Sequence, residues 1–201
     1  MTSKLIVNSI RHTGASADAI TMDASGNVTF PGNATCSGTP SGFGVQGITM
    51  ADQWRVTSSF DSSSTDIASN WERVDTGGFG QLGTGMSESS GIFTFPSTGI
   101  YRIDFQAAAA RASADSIRFI NLYIKTTTNN GSSFSEASYA VTNIHNSAHV
   151  YASAYLTHQF DVTDVSTHKV KFSVQAENTL SWLGSTITTN TGVAFTRLGD
   201  T

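Results

Sequence analysis

The 201-residue sequence is short of charge, proline, basic residues and cysteine. Charged residues make up only 13% of it, about half the share usual in soluble domains. Lys and Arg together number 11 against 15 Asp and Glu, a net charge of -4. Such a balance excludes a nucleic-acid surface, which needs clustered basic side chains to displace counterions. The single cysteine, Cys36, excludes an internal disulfide and any cysteine-based zinc cluster, and it reads as an inert thiol in a Ser/Gly linker. No apolar run approaches the length of a membrane span. The first residues, Met1 to Asn8, lack the apolar stretch of a secretory signal, so synthesis in a cytoplasm is expected and membrane insertion is not.

Small hydroxylated residues fill the gap: 28 Ser and 27 Thr, with 18 Gly. These are poor residues for helix interiors, so short strands joined by tight turns are expected. A chain of this kind without covalent staples draws stability from elsewhere, and oligomerisation is the expected source.

The hydrophobic pattern changes near residue 50. Before it, Lys4–Ile10, Ala19–Met22 and Asn27–Phe30 read as short strands, the last two joined by a hairpin turn at Asp23–Gly26. None is long enough to bury a core of its own. Gly32–Gly44 reads as a flexible linker. Residues 1–50 are therefore expected to form an attachment arm, with Leu5, Ile6, Val7, Ile10, Ile20, Val28 and Phe30 as its gripping side chains.

Residues 51–201 alternate more densely. Tyr101, Ile103, Phe105 and Ala107 share one face, as do Val150 to Val162 at every second position, and Val170, Phe172, Val174 and Ala176. Period two in segment after segment predicts antiparallel strands with one buried face. Further strands are expected at Gln53–Phe60, Gly91–Phe95, Ile117–Lys125, Ser138–Ile144 and Thr191–Leu198, with turns at Pro96–Gly99 and Asn129–Ser132. About eight strands and no helix predict an all-β sandwich or jelly roll. Gly77–Gly85 is expected to be a long irregular connection. Opposite the core face, Tyr151, Ser153, Tyr155, Thr157 and Gln159 form an uncharged run. Ile117, Phe119, Asn121 and Tyr123 make a second partly apolar face. Such faces predict cover by a neighbouring subunit, with Phe119, Tyr123, Tyr151 and Tyr155 as contacts.

The run Ser90-Gly91-Ile92-Phe93-Thr94-Phe95-Pro96-Ser97-Thr98-Gly99-Ile100-Tyr101-Arg102-Ile103-Asp104-Phe105 resembles the Gly–Phe–Pro–Gly–Tyr–Phe signature of C1q/TNF-like jelly-roll domains. The last aromatic, Phe105, comes two residues later than in the strictest form. Pro96 cannot donate to a ladder and ends a strand, Gly99 allows a tight reversal, and Tyr101 and Phe105 return to the core. Trp71–Asp75 and Gly192–Leu198 match the early and final strands, so the resemblance spans roughly residues 51–199. It implies a homotrimer packed around a threefold axis. The arm, Asn8–Gly14 with Ala19–Gly32, resembles segments of fibre and appendage proteins of tailed phages, particularly marine ones. Together these imply a phage virion protein: a trimeric tail-fibre or appendage knob held by its arm and able to bind a host-surface glycan or protein. A capsid decoration or head-fibre protein is the alternative, and a C1q-like extracellular binding module a third.

Chemistry is sparse. His145 and His149 are four apart but lie between strands without a third ligand, so no metal is expected. Two carboxylates, Asp161 and Asp164, fall short of a calcium set and read as turn-shaping residues. His158 reads as half-buried on the core face. Asp104 and Asp115 lack framing aromatics for glycosidase work, and Gly77–Gly85 lacks the Lys and helix of a phosphate cradle. No catalytic residue and no cofactor are expected; the mechanism is assembly, and the protein is expected to be carried on the virion.

Overall fold

The computed structural model describes residues 7–32, 47–112 and 116–201, and among these there is no helix. The chain divides into two units, Met1–Val45 and Gln46–Thr201.

The first unit holds three short antiparallel strands, β1 (Ser9–Ile10), β2 (Ile20–Met22) and β3 (Val28–Thr29), in that order. The β2–β3 turn forms because Asp23 acts as a local acceptor: its Oδ1 takes the Ser25 and Asn27 amides at 2.9 Å each, while Gly26 adopts φ 84°. No described residue of this unit is buried, so its sheet encloses no core. Val7, Ile10, Val28 and Phe30 are exposed and Ile20 is half-buried. Leu5, Ile6 and Cys36 lie outside the described residues. The expected strand Lys4–Ile10 is reduced, among described residues, to Ser9–Ile10, and Val7 precedes it.

The second unit is a two-layer sandwich. Its strands are β4 (Met50–Val56), β5 (Phe60–Asp66), β6 (Trp71–Arg73), β7 (Ser87–Ser89), β8 (Ile92–Thr94), β9 (Gly99–Arg111), β10 (Phe119–Thr127), β11 (Ser135–Asn143), β12 (Val150–Val162), β13 (Lys169–Trp182) and β14 (Gly192–Gly199). One layer runs β6-β4-β14-β9-β12, the other β7-β8-β13-β10-β11, and β5 continues the β8 edge of β13. All pairings are antiparallel. The far end of β13 crosses to β9 through Ser181 and Trp182 and joins the layers.

Alternation produces the core. On β9, Tyr101, Ile103, Phe105, Ala107 and Ala109 are fully buried; β13 answers with Val170, Phe172 and Val174, and β10 with Ile120, Leu122 and Ile124. Aromatic rings bridge the layers: Phe105 lies 5.0 Å from Phe172, and Phe93 lies 5.3 Å from Phe195 with Trp54 and Trp71 edge-on against it. Such contacts add to area burial. The Pro96–Gly99 reversal is held by Tyr101, whose hydroxyl donates to Ser97 O at 3.0 Å. Gly99 has φ 144°, and a Cβ there would meet Gly199 O at 2.6 Å.

Several strand expectations are corrected. The single strand Gln53–Phe60 is two strands, because the chain turns at Thr57–Ser59 between β4 and β5. Eleven strands, not about eight, build the sandwich. Ile117 precedes β10 and is 1% exposed, so it belongs to the core and not to an outer face. Asp161 is the penultimate residue of β12 rather than part of the following turn. Gly77–Gly85 does form an irregular connection, with Gly77, Gly78, Gly83 and Gly85 all at positive φ.

Candidate functional site

The long β9–β12 ladder sets the geometry. Its register pairs all 13 residues of each strand, from Val150 with Arg111 to Val162 with Gly99. Core-facing side chains on one side oblige the alternate ones to point outward. Across this outer face Tyr151 pairs with Ala110, Ser153 with Ala108, and Tyr155 with Gln106. Gly192 and Ala194 of β14 extend the face beyond Gln106 and Asp104. Tyr151 is 75% exposed and Tyr155 53%. Two large rings thus stand on a surface of small and amide side chains, with Arg102 and Asp104 beside Tyr155. Adjoining hollows of about 200 and 350 Å³ share Gln106, Tyr155 and Thr189 in their walls.

A polar cluster fixes one of these rings. The Tyr155 hydroxyl donates to Asp104 Oδ1 in a short hydrogen bond and accepts from Arg102 Nη2 at 3.2 Å. Arg102 Nε donates to Asp104 Oδ1 at 3.0 Å, and Gln106 Nε2 donates to Thr189 O at 2.7 Å. The sequence singled out Asp104 and Tyr155 separately; only the β9–β12 register brings them together. Asp115 lies outside the described residues.

Phe119 and Tyr123 sit elsewhere. They are half-buried on the outer face of the second layer, whereas Tyr151 and Tyr155 are on that of the first. Both pairs nevertheless flank one side of the sandwich. There β11 and β12, each paired on one side only, lie against one another, with Ser138 Oγ donating to Thr157 O at 3.3 Å. Tyr139 and Val141 of β11 add exposed apolar surface beside Phe119 and Tyr123. Their alternation with Ala140 and Thr142 was the available signal for them.

The remaining candidates are local. His145 Nδ1 contacts Ser147 Oγ at 3.2 Å, and His149 has φ 58°. Among the described residues no group of three or more His, Cys, Asp or Glu could hold a metal ion. Asp164 shapes its turn, accepting from Ser166 N at 2.8 Å and Ser166 Oγ at 2.7 Å, which holds its carboxyl below the usual range. His158 is half-buried, and burial lowers its pKa.

A buried network went unread in the sequence. Asp52 accepts from Trp54 Nε1 (2.9 Å), Arg73 Nε (2.9 Å) and the Met86 amide (2.7 Å), tying β4 to β6 and to the chain entering β7. Arg55, also buried, binds Glu72 and Asp75 at 2.6 Å each.

The layer order and the Gly–Phe–Pro–Gly–Tyr–Phe turn define a TNF/C1q-like jelly roll. Solved structures share it. The chain is similar to Eiger TNF from S. frugiperda (9% identity, 76% of this chain and 94% of that one, TM-score 0.57). It is also similar to murine APRIL at pH 5.0 (14% identity, 74% and 98%, TM-score 0.52). No protein-family model and no curated protein matches the chain.

Proposed function

We propose that the chain is a phage virion protein: a homotrimeric jelly-roll knob, attached by its amino-terminal arm, that recognises a host surface. It works by assembly and recognition rather than catalysis. The observation that carries this reading is the outer face of β9, β12 and β14, where Tyr151 and Tyr155 stand exposed among Ala108, Ala110, Ser153 and Ala194. Large aromatics beside small residues are the chemistry of a subunit contact, because the rings bury much area and the small residues allow close approach, and the Arg102–Asp104 pair at Tyr155 adds a polar rim. The resemblance to C1q/TNF-like domains supplies the threefold arrangement.

The arm supports the rest. Ile10 and Val28 are exposed on a three-stranded sheet and Val7 and Phe30 just outside its strands, with no residue buried among those described, and apolar side chains of this kind fit docking onto another virion protein. Immunogold labelling of particles tests the reading. Label on the tail is the expected result; label on the head would assign the chain to capsid decoration, and unlabelled particles would overturn the virion role.

A further inference from the structure

The three-stranded sheet of the arm has two chemically distinct faces. Ile10 pairs with Ile20 and Met22 with Val28, while Ser9 and Thr29 each pair with Thr21. Opposed residues of an antiparallel pair point to the same side, and side chains along a strand alternate. Ile10, Ile20, Met22 and Val28 therefore share one face, and Ser9, Thr21 and Thr29 the other. No strand residue is charged. The charges lie in the connections: Arg11 pairs with Asp18 at 3.3 Å between β1 and β2, and Asp23 accepts from Asn27 Nδ2 at 2.7 Å between β2 and β3.

The apolar face is open. Ile10 is 49% exposed and Val28 52%, with Ile20 and Met22 half-buried. A sheet this small needs a covered apolar face for stability, and area and chemistry both limit what covers it. Four side chains, two of them already half-buried, fall short of the roughly 800 Å² a side that a stable contact between separate proteins takes. The same patch suffices when its counterpart is tethered beside it, because linked modules meet at an effective concentration of about millimolar. These side chains also carry no nitrogen or oxygen, so a polar counterpart would be left desolvated and unpaired against them. Sister arms of a trimer meet both conditions: each is tethered through its own sandwich, and each presents the identical uncharged face.

We propose that the arms of three copies bring these faces together about the threefold axis. Ile10, Ile20, Met22 and Val28 of each chain pool into one shared core, and Ser9, Thr21 and Thr29 turn to solvent. The arm is then ordered by assembly and not before it. The proposal rests on the trimeric part of the reading above and narrows its account of the arm, leaving Val7 and Phe30, outside the strands, for docking onto the virion.

Hydrogen exchange on the purified full chain, with no other virion component present, tests it. Amides of β2, the central strand, should exchange about tenfold or more slowly than in an unstructured peptide. Val28→Asp, on the apolar face, should abolish that protection while the light-scattering mass stays that of a trimer. Thr29→Asp, one residue on and on the opposite face, should keep it. A trimer whose β2 amides exchange like those of an unstructured peptide, or stay protected with Val28→Asp, would overturn the proposal and leave the trimeric reading standing. A monomeric mass for the wild-type chain would overturn both.

Discussion

Asp52 and Asp66 are both carboxylates on β strands, yet their surroundings set different roles. Asp52 has no exposed side-chain area and is paired with Arg73, which keeps 35% of its own in water. Asp52→Ala strands the Arg73 guanidinium and the Met86 amide; a loss of about 3 kcal/mol is expected, the low end for a broken buried pair because Arg73 can rehydrate. Chemical denaturation measures it directly. Asp66 is more open. Burial alone would raise its pKa, but hydrogen bonds from Lys171, Ser173 and Lys125 outweigh burial and hold it at about 2. Its folded value lies below the unfolded one, so its contribution is complete above about pH 4 and is lost as pH falls through about 2. Denaturation series should therefore show wild type more stable than Asp66→Asn at neutral pH, with the two curves converging toward pH 2. Added salt should narrow the neutral-pH gap, since the carboxylate is 40% exposed.

At the scale of elements, what could be read from the sequence was whatever alternates. β9, β12 and β13 announce themselves because period-two apolar residues continue for many positions, and the outward Tyr151 and Tyr155 follow from the same period. β5 does not: its Phe-Asp-Ser-Ser-Ser-Thr-Asp sequence has no apolar stripe, and it is a strand because β13 offers an edge to pair with. The break between β4 and β5 is hidden for a related reason. Polar Thr57–Ser59 could continue a strand, but Gly184 comes close enough that a Cβ there would meet the Ser58 carbonyl carbon at 2.3 Å. Partnerships such as Asp104 with Tyr155 (51 residues apart) and Asp52 with Arg73 (21 apart) depend on register between strands, which local pattern does not carry. The Pro96–Gly99 turn was legible, since each residue's chemistry is local. Gly99→Ala should cost about 2 kcal/mol, as a Cβ would collide with the backbone at Gly199 while φ stays in a glycine-favoured region; thermal denaturation checks this.

For the whole molecule, the two units differ in what can hold them together. Residues 46–201 contain the entire buried apolar cluster, whereas the described part of the arm buries nothing. A fragment of residues 47–201 should melt cooperatively by circular dichroism, and a peptide of residues 1–45 should show no transition. Replacing Tyr151 and Tyr155 together by Asp should lower the assembly state while leaving the melting of the sandwich intact, because both rings stand outside its core. The most direct measurement is size-exclusion chromatography with light scattering on residues 47–201 and on the full chain at micromolar concentration. A mass three times that of one chain is predicted for both, 21.2 kDa being the full-length monomer. Folded monomer in both samples would contradict the account.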